Sequence, residues 1–175
     1  NDTMCDPDRL MDHARFDYAP QEAPAALASA KPLRIHWHII RKDDGGGDID
    51  DVVIDAQLEN LNTFFAPASI AFQTEAVHRY DDTALSNCSP QIDLGILDDT
   101  DRSLCGVAGL GAHARDTTAF VNIFIVDIPG LDGFSPPPCV LPPGDSRHGI
   151  YVDRQAVAIV EDVLVVHEMG HFLGL

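Results

Sequence analysis

The sequence predicts an α/β (α+β) fold in which helices pack on a mixed, mostly parallel twisted sheet. Segments with strand character alternate with segments of helical periodicity, in the order β-α-β-loop-β-β-α. This alternation is typical of parallel strands joined by crossover helices. The chain has 175 residues, which is enough for one domain with a hydrophobic core.

The first half of the chain supplies a strand, a helix and a second strand. Residues 33–41, LRIHWHIIR, alternate and are rich in β-formers, which predicts a strand. A glycine-rich turn follows, and Asp48 or Asp50 can cap a helix over about residues 50–66. The helix has an apolar stripe made of Ile54, Leu58, Leu61 and Phe65. Residues 70–80 alternate again and predict the second strand.

The second half of the chain supplies the centre of the sheet and the last helix. Residues 81–118 are loop-rich, with a candidate short strand near 92–97. Residues 119–128, AFVNIFIVDI, form the most apolar strand and are expected at the centre of the sheet. A further short strand is predicted at 148–153, and one long helix from about residue 155 to 172.

The composition indicates one folded unit with a short lead-in. Residues 1–32 are polar, acidic and rich in alanine and proline, and they predict an irregular N-terminal segment. Residues 33–175 form the folded unit, without an internal repeat or a second domain. The sequence has no apolar run long enough to span a bilayer.

The charge of the chain is strongly negative. There are 11 Lys+Arg and 28 Asp+Glu residues, which give a formal net charge of −17. Such a surface repels polyanions, so we expect neither nucleic acid nor an anionic membrane as a partner.

The cysteines favour an oxidising, extracellular setting. None of the four is spaced as C-x-x-C, so a redox motif or a cysteine zinc site has little support. Two N-x-S/T sequons begin at Asn1 and Asn87. Together these features predict a secreted protein with disulfide bonds, whose pairing is open among three connectivities. The cysteines are Cys5, Cys88, Cys105 and Cys139.

The most specific motif is HEMGH, within the last nine residues, HEMGHFLGL. His167 and His171 are four residues apart, so they project from the same side of a helix. At this spacing two imidazoles can bind one Zn²⁺ at about 2.0–2.1 Å each. Glu168 lies beside the metal and can act as general base toward a water molecule whose pKa the zinc lowers toward about 7. Chance occurrence on a core helix is disfavoured, because burying unpaired His and Glu is costly.

The segment VVHEMGHFLGL resembles the active-site helix of the metzincins, most closely that of the pappalysin-type (M43) secreted metalloendopeptidases. NIFIVDIPGL, DGFSPPP and HGIYVD resemble that group's central strand, its edge-strand segment and the strand before its zinc helix. The resemblance covers roughly residues 33–175. It implies that His167 and His171 are zinc ligands, that Glu168 is the general base and that Gly174 is the turn glycine.

The same resemblance implies where a substrate binds. Gly133, Phe134 and Ser135 would form the upper rim of the active-site cleft. A peptide or protein substrate could pair there as an added β-strand.

The family pattern continues beyond the residues present here. It has a third zinc ligand, usually histidine, three residues past the glycine, and a methionine turn beneath the metal. The resemblance therefore implies the N-terminal subdomain of a catalytic domain, which could be inactive alone. The third ligand would come from a C-terminal half or a partner chain, since a catalytic zinc normally has three protein ligands.

The spare histidines are interpreted as ordinary solvated or hydrogen-bonded residues. His36 and His38 are expected in a sheet beneath helices, and His148 at the start of the strand next to the zinc helix. The full set is His13, His36, His38, His78, His113 and His148.

Three further interpretations remain open. The chain could be a non-catalytic pseudo-protease that keeps the fold and binds a partner at its edge strand. It could belong to the gluzincins, whose third ligand is a glutamate, although Gly174 disfavours that group. Cys5 could hold the zinc in a latent state, although a structural disulfide is favoured.

Two acidic clusters, at 43–51 and 98–101, could bind Ca²⁺ through carboxylates. Neither has the spacing of an EF-hand. A glycine turn with a helix cap and a solvated loop are the favoured interpretations.

Overall fold

The computed structural model describes residues 31–87, 109–136, 138, 141, 143–160 and 163–175. The lead-in up to residue 30, the candidate strand near 92–97 and all four cysteines lie outside these ranges. The elements are β1 (Leu33–Arg41), α1 (Asp51–Phe65), β2 (Phe72–Asp81), β3 (Val121–Val126), β4 (Gly133–Phe134), β5 (Ile150–Asp153), α2 (Arg154–Val157) and α3 (Leu164–Leu173).

Five strands form a sheet in the order β2-β1-β3-β5-β4. All neighbouring strands are parallel except β4, which runs antiparallel to β5. All six residues of β3 are buried, as expected for an apolar strand at the centre of a parallel sheet. The predicted α/β fold class with a mostly parallel sheet is confirmed. No helix in the described part of the chain is long and apolar enough to cross a membrane.

The helices pack on one face of the sheet. Ile35, Trp37 and Ile39 of β1 lie in the same buried cluster as the apolar residues of α1 and α3. Alternate residues of a strand point to opposite faces, so His36 and His38 lie on the other face. The two histidines lie in a sheet beneath helices, as expected, but they point to its opposite face, because the apolar residues of β1 occupy the helical face.

The prediction of one long helix over residues 155–172 is wrong. Helix α2 ends at Val157, the described residues 158–160 and 163 are not helical, and α3 begins at Leu164. Gln57 Nε2 of α1 donates to the carbonyl of Val157 at 2.9 Å, and Asn60 Nδ2 donates to that of Val160 at 2.7 Å. These amides satisfy carbonyl groups that would otherwise need partners where a helix ends.

A buried arginine at the start of α2 packs against the turn that precedes α1. Arg154 is only 8% exposed, pairs with Asp127 at 3.3 Å and donates through Nη2 to the carbonyl of Ile40 at 2.6 Å. Gly47 has a φ of +84°, and a Cβ atom there would overlap the Arg154 guanidinium. A residue without a side chain is required at this position for both reasons.

Gly47→Ala should destabilise the protein more than the matched change Gly45→Ala. Both glycines have positive φ, +84° and +78°, so each substitution costs about 1–2 kcal/mol of backbone strain. Only at Gly47 does the new methyl group displace buried Arg154, which should add about 2 kcal/mol or more. Urea unfolding measures both losses. Equal losses would show that the turn does not depend on Arg154.

Candidate metal centre

The ten-residue helix α3 carries the predicted zinc motif, and its apolar side fixes its orientation. This side packs into the buried cluster on the helical face of the sheet through Val165, Met169 and Phe172. The helix ends at Gly174, which has a left-handed φ of 75°. The amide of Leu175 donates to the carbonyl of Gly170 at 3.0 Å, which closes the helix end.

His167 and His171 lie side by side on α3. Their Nε2 atoms are 3.1 Å apart, and the two rings are nearly perpendicular, at 88°. Two nitrogens bound tetrahedrally to one zinc ion at 2.0–2.1 Å would be about 3.3 Å apart. The observed separation is within a few tenths of an ångström of this value. The pair therefore fits a zinc ion with only a small adjustment.

Glu168 lies on the packed side of the same helix. It is 4% exposed, and its Oε2 atom has no hydrogen-bond partner among the described residues. Burial raises the pKa of Glu168 to about 7. A buried carboxylate oxygen without a partner costs free energy. A polar ligand, a water molecule or a proton at Glu168 Oε2 would therefore lower this cost.

Strand β4 lies directly against Glu168. A methyl group at Gly133 would be 3.3 Å from Glu168 Cγ and 3.0 Å from the carbonyl oxygen of Tyr151. Phe134 stacks on Tyr151 with ring centroids 4.7 Å apart, and Ser135 Oγ donates to the carbonyl of Gly149 at 3.3 Å. The side chains of Phe134 and Ser135 are therefore both engaged in contacts within the chain. The backbone of β4 lies at the edge of the sheet, where it can form hydrogen bonds with a bound peptide.

An apolar groove runs between the end of α1 and α3. Its volume is about 320 Å³. Both histidines of the motif are part of its wall, so the groove opens beside the candidate metal position. It is lined by Phe64, Phe65, Val163, Val166, His167, Gly170, His171 and Leu175.

One spare histidine lies against α3. His148 is 3% exposed and stacks on Phe172 with ring centroids 4.3 Å apart. Neither of its ring nitrogens has a hydrogen-bond partner among the described residues. The sequence predicted that His148 lies next to α3. Its burial and its contact with Phe172 can be seen only in the tertiary structure.

The other spare histidines do not approach the motif. His36 and His38 each stack on His78 on the sheet face opposite the helices, and His113 contacts Tyr80 on the same face. His13 lies outside the described residues. Within the described ranges, no group of three or more His, Cys, Asp or Glu side chains is arranged to hold a metal ion.

The first acidic cluster is engaged in ion pairs and turns. Asp48 pairs with Arg41 at 3.0 Å and with Arg79 at 2.9 Å, and Asp51 pairs with Arg79 at 2.7 Å. Asp50 takes the N-cap position of α1 without a side-chain cap bond. The second cluster, at 98–101, lies outside the described residues. Calcium binding at either cluster stays a prediction.

Comparison with known proteins gives matches at the level of structure. No protein-family profile and no curated protein matches the sequence. Mirolysin in complex with compound 9 matches with a TM-score of 0.57 and 17% identity, over 82% of this chain and 63% of that chain. Mature mirolysin of Tannerella forsythia in complex with a cleaved peptide gives a TM-score of 0.58 and 15% identity, over the same shares of the two chains.

These matches show the fold of the chain. It is a mixed α/β fold with a mostly parallel five-stranded sheet, shared with the matched part of the two mirolysin chains. The chain spans 63% of the length of the two mirolysin chains. Metalloproteinase-II from Bacteroides fragilis also matches, over 95% of this chain and 49% of that chain, at 13% identity. Its TM-score of 0.40 is too low to support an argument.

Two glycines beside the candidate centre should respond in opposite ways to alanine. Gly170→Ala should stabilise the protein by about 0.5–1 kcal/mol, because nothing lies within 4 Å of the added methyl group on a helix. Gly133→Ala should destabilise it, because the methyl group would press against Glu168 and the backbone of Tyr151. Urea unfolding of both variants measures the sign of each change. A stabilising Gly133→Ala would show that β4 does not pack closely on Glu168.

Proposed function

We propose that the chain is the N-terminal part of the catalytic domain of a secreted zinc endopeptidase of the metzincin type, most similar to the pappalysin-type (M43) group. One observation carries this proposal. The Nε2 atoms of His167 and His171 lie 3.1 Å apart beside a buried glutamate with an unpartnered oxygen. The metzincin-like fold supports the proposal, and so does the HExxHxxG spacing, which ends at Gly174.

His167 and His171 would hold the zinc ion. The third ligand is proposed to come from a C-terminal half or a partner chain, because a catalytic zinc normally has three protein ligands. When bound, zinc supplies Lewis-acid chemistry that makes a water molecule nucleophilic near pH 7 and polarises the scissile carbonyl.

Glu168 is the proposed general base. Its Oε2 atom accepts the proton of the attacking water and holds it until the leaving amine takes it. Burial supports this role, because a poorly solvated carboxyl group tolerates the neutral, protonated form better than an exposed one does. The backbone of β4 lies against Glu168, so a substrate bound at that edge would have its scissile bond nearby.

The substrate is proposed to be a peptide in extended conformation. It would add to the sheet at β4, through backbone hydrogen bonds to the segment that contains Gly133, Phe134 and Ser135. The apolar groove beside His167 and His171 could accept one apolar side chain of that peptide.

Glu168→Gln should strongly reduce peptide cleavage and leave zinc binding intact. In a polypeptide with the complete ligand set, kcat should fall by about 10²–10⁴, because the general base is lost while both histidines remain. Hydrolysis of a quenched fluorescent peptide measures kcat, and elemental analysis measures zinc. The control is Glu59→Gln, at an exposed position of α1, which should change neither quantity. Full activity of Glu168→Gln would exclude Glu168 as the base.

A non-catalytic peptide-binding module is the second candidate. It is favoured by the two-ligand motif, since the described residues bring no third His, Cys, Asp or Glu to the pair. This candidate predicts that peptides bind at β4 without turnover in the polypeptide that completes the fold. Zinc-dependent cleavage by that polypeptide would rule it out.

A further inference from the structure

A second pair of imidazoles lies on the sheet face opposite the helices. His36 Nδ1 and His78 Nε2 are 2.9 Å apart, and their rings are stacked with centroids 5.1 Å apart. We propose that His36 and His78 form a second binding site for a divalent transition-metal ion such as Zn²⁺, with water completing the coordination. This site goes beyond the proposed protease function, because the sheet separates it from α3 and its motif.

A β-bulge brings His78 to this site. In the pairing of β1 with β2, Ile35 lies opposite Thr74 but His36 lies opposite Ala76, so Glu75 is an extra residue. Paired residues of neighbouring strands point to the same face, so His78, opposite His38, joins the imidazole face. Without the bulge, His78 would lie opposite Ile39 and point into the hydrophobic core. Bulges that redirect a side chain in this way are common beside functional sites.

His38 positions the pair without acting as a ligand. Its ring is fully buried and stacks on His78 with centroids 5.2 Å apart. Its Nε2 atom bonds to Asn122 Oδ1 at 2.9 Å, and Asn122 Oδ1 also accepts from the amide of Arg115 at 2.7 Å. Since Oδ1 is an acceptor, His38 must donate through Nε2. The hydrogen bond to Asn122 thus fixes the His38 ring, and the fixed ring packs against His78.

The surroundings of His36 and His78 favour their neutral form, which is the form that binds metal ions. Burial, and next the neighbouring His78, lowers the pKa of His36, while burial and next Arg115 lower that of His78. Neutral imidazoles bind metals, and the proton shared in the 2.9 Å contact is what a metal ion would replace. Imidazole ligands suit zinc, copper and nickel.

The position of His36 and His78 determines how an ion would reach the site and which strands it would join. His36 is 8% exposed and His78 is half-buried on the outermost strand, so an ion can arrive from the solvent. An ion held by both residues would join β2 to β1. The negative charge of Glu75 favours a cation at His36, and the positive charges of Arg115 and Arg34 oppose it. We therefore expect weaker binding than at a complete structural zinc site.

The test is a Zn²⁺ titration of the 175-residue chain with the α3 pair removed by His167→Gln and His171→Gln. This double variant should bind one equivalent of Zn²⁺, measured by competition with a chromophoric chelator. Adding His78→Gln should weaken binding at least tenfold, because the amide can still bond to His36 but is a much poorer zinc ligand. The control His113→Gln changes a histidine on the same face and should leave the affinity within twofold.

A second variant guards against misfolding. His36→Gln, in the same background, should give the same tenfold loss, with folding of each variant checked by circular dichroism. Zn²⁺ should also raise the Tm of the background variant and leave that of the His36→Gln variant unchanged. The proposal is overturned if the background variant binds no Zn²⁺, or if either folded variant keeps full affinity. These readouts do not involve peptide cleavage, so they are independent of the proposed protease function.

Discussion

The packing of α3 against the sheet is the constraint on which the candidate metal centre depends. A helix repeats every 3.6 residues, so burying one side of it fixes where every other side chain points. Val165 and Met169 are fully buried on the sheet side, which leaves His167 exposed and His171 partly exposed. Both imidazoles then face the same open region. The direction in which the pair faces therefore follows from apolar contacts made by its neighbours on the helix.

The same packing forces Glu168 into an unfavourable environment. Glu168 shares the buried side of α3 and lies against β4, where its carboxyl group is almost fully removed from water. A carboxyl group at such a position destabilises the fold unless something compensates it. Gly133 provides the space, since any side chain there would compete with Glu168. Burial of the Glu168 carboxyl group thus destabilises the fold, and the same burial raises its pKa to a value that suits proton transfer.

Local periodicity explains which parts could be predicted from the sequence. The bounds predicted for the first strand match β1, and those for the first helix match α1 to within a residue, because both patterns depend on near neighbours. The approach of the two α3 histidines follows from their spacing alone. At the break between α2 and α3, two carbonyl groups accept hydrogen bonds from Gln57 and Asn60, which lie 100 residues away in the sequence. The bulge at Glu75 depends on the pairing of two strands, and the contact of Gly133 with Glu168 depends on tertiary packing. Neither the bulge nor this contact can be recognised from a pattern of neighbouring residues in the sequence.

The two edges of the sheet differ in a way that favours β4 as the site of peptide pairing. Strand β2 is ten residues long, carries the charged residues Glu75, Arg79 and Asp81, and is interrupted by a bulge. Charges and bulges are features that protect an edge strand from pairing with another chain. Strand β4 has two residues, neither of them charged, and lies against Glu168. Three strands separate the two edges, which corresponds to about 19 Å at a spacing of 4.7–4.9 Å. A peptide on β2 would therefore be too far from Glu168 to react, whereas a peptide on β4 would lie beside it.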